Sequence, residues 1–351
     1  MAPQTTIERI GLDVGFGDVK AAKLADGKLS TVAFPSILGQ AQDLTHFGTG
    51  LGGATRRRAT RMIYDGVEYY IGDDALKHSR TQSGRQDRAR IGSDEERVLA
   101  LAALARLEVS HAYVVTGLPV LWLDDWKKLS RSLKGEHHFT WGKQQRTITI
   151  HQVVVQAQPF GGFYNHVLDQ TGLSTIPESE ILRTFAFLDV GWNTTDLSVI
   201  KALEPVEQWS AGERVGVRNV IEIVGDAINR RFGLILTPHE IDEAIHQRRI
   251  EVFGQYQDIG DLIDSATTAL AQQVTAAATR LWGNGERMSR ILIFGGGAAI
   301  LGPAIRAAFP RNGVLLAHPA LANAIGFCYF AQRPIWREKT SDEKQLTEAK
   351  Q

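Results

Sequence analysis

The chain has 351 residues, 39 Lys+Arg against 39 Asp+Glu, and one cysteine, Cys328. Zero formal charge removes a global pull toward nucleic acid or anionic lipid. A lone cysteine excludes an intramolecular disulfide, an iron–sulfur cluster and a Cys-rich zinc site within one chain. The opening MAPQTTIERIGLDVG has no basic-then-apolar leader pattern, and the longest charge-free run, Asn312 to Gln332, is interrupted by His318, Pro319 and Asn323. The expectation is a cytoplasmic α/β protein of about two domains.

In chain order, residues 7–14 read as a strand, followed by a turn at Gly15-Phe16-Gly17-Asp18 and a second strand, VKAAKL. KLSTVAF predicts a third strand, stopped by Pro35. VEYYIGDDAL predicts a strand running into a turn, and ERVLALAALARL an amphipathic helix. AYVVTGLPV has the pattern of a buried strand, DDWKKLSRSL that of a helix, and RTITIHQVVVQAQP that of a strand pair. The His137-His138 doublet reads as a solvated turn.

TFAFLDVGWNTTDLSVI then repeats the opening strand–turn–strand theme. NVIEIVGDAINRRF predicts a helix. Thr237-Pro238-His239-Glu240 predicts a helix start, with Thr at N-cap, Pro at N1 and Glu at N3. LIDSATTALAQQVTAAATRLW predicts a long helix. ILIFGGGAAILGPAIRAAF predicts a strand, a glycine turn and a helix. The end of the chain is charged and aperiodic, the signature of a frayed tail.

The repeat carries the chemistry. Asp13-Val14-Gly15-Phe16-Gly17 and Asp189-Val190-Gly191-Trp192-Asn193 share Asp-Val-Gly-aromatic-small, and Asp18 and Asp196 follow. A glycine hairpin exposes backbone N–H groups that can cradle phosphate oxygens. Two strand-end carboxylates, one per half, suit a hydrated Mg²⁺, which takes few protein ligands and keeps waters. Lys20 could add a point charge. The competing reading is that Asp13 and Asp189 are ordinary turn residues. Gly295-Gly296-Gly297 is not the dinucleotide fingerprint, since Ile300 stands where the third glycine would be. No Walker A loop, G-x-S-x-G elbow or H-E-x-x-H spacing occurs.

Taken together, GLDVGFGDVK (11–20), FLDVGWNTTD (187–196) and ILIFGGGAAILG (291–302) resemble the phosphate-1, phosphate-2 and adenosine motifs of the actin–Hsp70–sugar kinase superfamily. VVTGLPV, VVVQAQPFGGFY and ALANAIGFCYF resemble its connecting regions. YDGVEYYIGDDAL is similar to bacterial actin-like proteins of the ParM/StbA plasmid-segregation kind. The resemblance implies an α/β, ribonuclease H-like, actin-like fold of two domains with a nucleotide cleft between them. It implies domain I over 1–183, with a variable subdomain at about 37–108, completed by a helix at about 318–336. Domain II would span 184–317, and the tail 337–351.

By position, the resemblance implies that Asp13 and Asp189 hold Mg²⁺, and that Gly15, Phe16, Gly17, Asp18 and Lys20 bind the β- and γ-phosphates of ATP. Gly191, Trp192, Asn193 and Thr194 would form the opposite clamp. Gly295, Gly296, Gly297 and Ile300 would line the adenosine pocket, with Gly216 near the ribose. Gln158 would position the attacking water; an amide orients water but is a poor proton acceptor. The implied activity is ATP hydrolysis coupled to nucleotide-dependent filaments for plasmid or DNA segregation, with an adaptor as a further partner. The alternatives are a small-molecule kinase and a non-polymerising ATP-dependent regulator. The arginines Arg56, Arg57, Arg58 and Arg61, with Lys77, Arg80, Arg85, Arg88 and Arg90, would lie in the variable subdomain, as a solvated surface or a contact for a neighbour, adaptor or DNA.

Overall fold

The first apolar run extends as predicted because its alternate residues find a buried face: Ile10 and Leu12 are fully inside. The computed structural model describes residues 6–40, 60–79, 82–85 and 87–333. They form two compact units. One takes in the described residues up to Gln158 and from Phe327 onward; the other is Pro159–Gly326.

The first unit opens with strands β1 (Glu8–Val14), β2 (Asp18–Ala25) and β3 (Lys28–Pro35), an antiparallel meander. Then come β4 (Leu38–Gln40), β5 (Arg61–Tyr64), β6 (Val67–Ile71), helix α1 (Asp73–His78) and β7 (Gln82–Ser83). Helix α2 (Asp94–Arg106) starts at Ser93, whose hydroxyl accepts from Glu96 N at 3.3 Å. It is followed by β8 (His111–Leu118), α3 (Trp126–Leu133), β9 (Gly135–Trp141) and β10 (Gln144–Ala157). One sheet results, in the order β3-β2-β1-β8-β10-β9-β5-β6-β4-β7, with β8 parallel to both β1 and β10.

Two expectations change here. The segment read as a strand pair is the single strand β10, whose first half pairs with β9 and second half with β8 across a bulge between Ile150 and Gln152. His137-His138 is not a turn but part of β9. His137 is buried and donates from Nε2 to Leu133 O at 2.8 Å, while His138 faces out toward Thr147. Strand alternation sends the two neighbours to opposite faces.

The second unit begins with α4 (Pro159–Val167) and α5 (Glu178–Ile181). The hairpin β11 (Thr184–Val190) and β12 (Thr195–Lys201) follows, with short strands β13 (Glu204–Pro205) and β14 (Ala211–Glu213) beside β12. Next come α6 (Val217–Phe232), α7 (Pro238–Gln247), the hairpin β15 (Arg249–Val252) and β16 (Gln255–Asp258), and α8 (Gly260–Trp282). The Thr237 capping box forms as expected: Thr237 N donates to Glu240 Oε2 at 2.7 Å. Strand β17 (Arg290–Phe294), α9 (Ala298–Ala308), β18 (Gly313–Leu315) and α10 (Ala322–Ala331) follow.

The sheet order β13-β12-β11-β17-β18 repeats the order β3-β2-β1-β8-β10, antiparallel up to the hairpin and parallel beyond it. The sequence repeat is thus a topological repeat.

Helix α4 belongs with the second unit, which begins at Pro159. The cause is aromatic packing: Phe163 stands edge-on to Phe185 at 5.1 Å and to Phe187 at 6.1 Å. Residues 318–326 also lie in that unit. There α10 meets α4 so closely that a Cβ on Gly326 would fall 1.8 Å from Gly161 O. Among the described residues, no helix is long and apolar enough to cross a membrane.

Candidate functional site

Each unit carries a glycine hairpin at the end of its first strand. In the first, Gly15 N donates to Asp18 O at 3.0 Å, and a Cβ on Gly15 would stand 2.9 Å from that same oxygen. In the second, Gly191 N donates to Thr194 O at 2.8 Å, and a Cβ there would also be 2.9 Å from its oxygen. Only glycine allows the chain to close this tightly at both places.

The carboxylates that precede the hairpins are buried: Asp13 is 5% and Asp189 8% exposed. Gln158 Nε2 donates to Asp13 Oδ1 at 3.1 Å, from the residue just before α4. Asn323 Nδ2 donates to Asp189 Oδ2 at 3.1 Å, from the first turn of α10. Asn323 Oδ1 in turn accepts from Gly162 N at 3.0 Å. The Gln158 backbone N–H is held by Leu118 O at 2.8 Å, which fixes the start of its side chain.

The two hairpins differ in the residue across the ladder. Opposite Asp13 stands Lys20; opposite Asp189 stands Asp196. Directly opposed residues on one face are near neighbours, so Lys20 sits beside Asp13. Lys20 is buried, with Nζ 3.8 Å from Asp18 Oδ2. Burial raises the Asp196 carboxyl above its ordinary range.

In the second loop, the start of α6 backs the turn: Val217 N donates to Gly191 O at 3.2 Å and Arg218 N to Trp192 O at 3.0 Å. Gly216 is where helix and loop touch, and a Cβ there would meet Trp192 O at 2.4 Å. Trp192 packs, partly buried, against the unit's apolar core, so its bulk is absorbed there. Thr195 Oγ1 donates to Val215 O at 2.7 Å. Beside the loop, an open recess of about 340 Å³ is lined by Asn193, Thr194, Arg214, Arg218, Asn219 and Glu222.

The triple glycine lies against β11. Gly295 has φ +99°, and a Cβ on it would fall 2.3 Å from Asp189 Oδ1. Gly297 N donates to Val190 O at 2.8 Å. Gly296 lies in the turn before α9, and Ile300, on α9, is partly buried against the core.

The basic segments divide. Arg56, Arg57, Arg58 and Arg80 lie outside the described residues. Arg61 pairs with Glu68 at 2.9 Å and Arg88 with Asp125 at 2.6 Å. Lys77 and Arg85 are exposed. Arg90 is no surface residue: it is 2% exposed and donates from Nη1 to Gly15 O at 3.0 Å. Sequence reasoning also passed over Ser36, Asn323, Arg214 and Arg218. An Asn inside the apolar run of α10 was the one available signal among them.

The groups fit a phosphate-bearing ligand with Mg²⁺. Two hairpins too tight for a side chain offer backbone N–H groups. Each unit by itself ends its first strand on a buried carboxylate, Asp13 in one and Asp189 in the other, the oxygen donor type that suits Mg²⁺. Among the described residues, no cluster of three or more His, Cys, Asp or Glu side chains forms a site for a more demanding metal.

Comparison with known proteins agrees with this geometry. The family model for the N-terminal domain of actin-like proteins matches residues 11–161. The model for the C-terminal domain of the archaeal MreB-like actin homologue matches residues 187–307. The chain belongs to the actin-like proteins, as the motif resemblance implied, and has their two-domain α/β fold.

Among solved structures, it is similar to Ta0583, an archaeal actin homologue, in complex with ADP: 22% identity, TM-score 0.75, covering 93% of this chain and 100% of that one. It is similar to the ParM of a 15-stranded filament from Clostridium botulinum: 25% identity, TM-score 0.72, covering 93% and 99%. It is also similar to the actin-like protein Alp7A: 16% identity, TM-score 0.73, covering 98% and 100%. No curated protein matches the chain.

Proposed function

We propose that this chain is an ATPase that polymerises into filaments under nucleotide control and serves plasmid or other DNA segregation in the cytoplasm, through a DNA-binding adaptor. The observation that carries the reading is the duplicated hairpin, closed at 3.0 Å in one unit and 2.8 Å in the other, each behind a buried aspartate. The ParM filament from Clostridium botulinum supports the polymer, and the ADP complex of Ta0583 supports the nucleotide.

In this reading, the Gly15–Asp18 and Gly191–Thr194 turns bind phosphate oxygens through backbone N–H groups, and Lys20 adds a point charge. Asp13 in one unit and Asp189 in the other are the carboxylates that would hold Mg²⁺. The cation, when bound, neutralises phosphate charge. Gln158 has its Nε2 engaged by Asp13, which leaves Oε1 to accept from a water. It positions that water without serving as a strong base. Gly295, Gly296, Gly297 and Ile300 lie on the adenosine side, and Gly216 near the ribose.

Light scattering and pelleting with ATP and Mg²⁺, alongside phosphate release, test the proposal. Polymer should appear with ATP and be lost in Asp189→Ala. A chain that forms no polymer at any concentration, yet phosphorylates a small substrate, would overturn it.

A further inference from the structure

Arg90 is a buried cation to which the ATPase reading gives no task. Its Nη1 donates to Gly15 O at 3.0 Å and its Nη2 to Ser36 Oγ at 2.9 Å. Ser36 Oγ donates to the same Gly15 O at 2.6 Å, and Ser36 N donates to Gly17 O at 2.7 Å. The guanidinium lies over the Phe16 ring, 5.6 Å from its centre. Two carbonyls of the first hairpin are therefore tied back on one side.

A trans peptide carries its C=O and its N–H on opposite sides. Tying back Gly15 O turns the Phe16 N–H the other way, and tying back Gly17 O does the same for Asp18 N–H. At the position of Gly15 O the second unit achieves the equivalent result with backbone alone, since Gly191 O is held by Val217 N at 3.2 Å; Trp192 O, held by Arg218 N at 3.0 Å, corresponds to Phe16 O rather than to Gly17 O. Among the described residues of the first unit, no helix start donates to Gly15 O, and a side chain from the turn Arg88–Arg90 supplies the donors. Burying a guanidinium costs desolvation. Its rigid fork serves two acceptors at once, which an ammonium cannot do in the same geometry.

We infer that Arg90 is a positioning residue: with Ser36 it fixes the Gly15–Phe16 peptide so that the first hairpin presents its N–H groups to the phosphates of the nucleotide. This rests on the nucleotide-binding reading of the hairpin proposed above.

The test is calorimetric titration of the full chain with Mg²⁺–ADP, at a temperature where circular dichroism shows each variant folded. Arg90→Lys and Ser36→Ala should each weaken binding about tenfold, the size of losing a charge-assisted bond. The double variant should lose less than the product of the two, because both act on one carbonyl. Arg88→Ala, which removes only the pair with Asp125, should bind as wild type does. Folded Arg90→Lys and Ser36→Ala that bind within twofold of wild type overturn the inference and leave the ATPase reading standing. A wild-type chain that binds no Mg²⁺–ADP overturns the nucleotide reading and the inference with it. Should Arg90→Lys not fold, Ser36→Ala decides alone; should neither fold, the anchor serves stability and the inference falls.

Discussion

Gln158 Nε2 donates to Asp13 Oδ1 at 3.1 Å, joining the residue before α4 to the end of β1. The second unit contains the same pairing in different letters, Asn323 Nδ2 to Asp189 Oδ2 at 3.1 Å. In each unit, a strand-end carboxylate meets a side-chain amide from the start of a helix. In both pairs the amide N–H donates and the carboxylate oxygen accepts.

For Gln158, truncation to Ala should slow ATP hydrolysis at least about tenfold, the order expected when an oriented reactant is released. Mg²⁺–ADP binding should change far less. Phosphate release measured beside an ADP titration separates the two effects. Equal hydrolysis rates in variant and wild type would remove Gln158 from the mechanism.

Asn323→Asp exchanges a donor to Asp189 for a second carboxylate at about the same distance. Two such groups cannot both stay ionised cheaply, so the pair's proton affinity rises. A folded pKa raised above the unfolded one gives stability that is present at low pH and lost as pH climbs through it. Urea midpoints should therefore show a penalty of about 2–4 kcal/mol at neutral pH, shrinking on acidification to about pH 4. A penalty that does not change with pH would contradict the pairing.

Gly326→Ala places a methyl 1.8 Å from Gly161 O, a backbone atom with no rotamer to yield. The α4–α10 crossing must then separate, at a cost of about 3 kcal/mol or more. Thermal melting of the variant checks this; an unchanged midpoint would mean that the helices are not in such contact.

Cys328 is fully buried, and burial pushes its thiol up to about 12. A thiol that is neither exposed nor ionised does not react. Ellman's reagent at pH 8 should leave the native protein unlabelled and modify one thiol per chain in denaturant. Fast labelling of folded protein would refute the placement.

His137, buried against Leu133 O, has its pKa lowered by desolvation, as do His151 and His166. The unfolded chain then binds protons first as pH falls, starting near the ordinary histidine value of about 6.5. The stability that these neutral rings contribute is present above that value and lost below it. Melting temperature should drop between about pH 7 and pH 5. His137→Gln should flatten part of that slope.

What the sequence revealed is what short-range chemistry decides. Asp13 and Asp189 stood out because strand, Asp, glycine and aromatic lie within a few residues, and each hairpin closes on itself. Arg90 and Asn323 did not, because their partners are 75 and 134 residues away. Such meetings follow from sheet order, which no local pattern specifies. Arg90 was grouped with exposed arginines for its neighbours in sequence, whereas a single turn before α2 aims it inward. The His137 strand was missed for a similar reason: two polar residues in a row look like a turn until a partner strand makes one of their faces an interior. The packing of α4 on the second unit is equally non-local, since its aromatic cluster forms only when β11 and β17 come together.

The two hairpins also differ mechanically. Freeing Gly191 O requires the start of α6 to draw away from the loop, which also breaks the neighbouring bond from Arg218 N to Trp192 O. Freeing Gly15 O requires only that two buried side chains, Arg90 and Ser36, change rotamer, with no helix displaced. One grip is cast into the frame and the other is latched. The latched one, held by side chains that can let go singly, is the half that can tighten or slacken without dismantling its own scaffold.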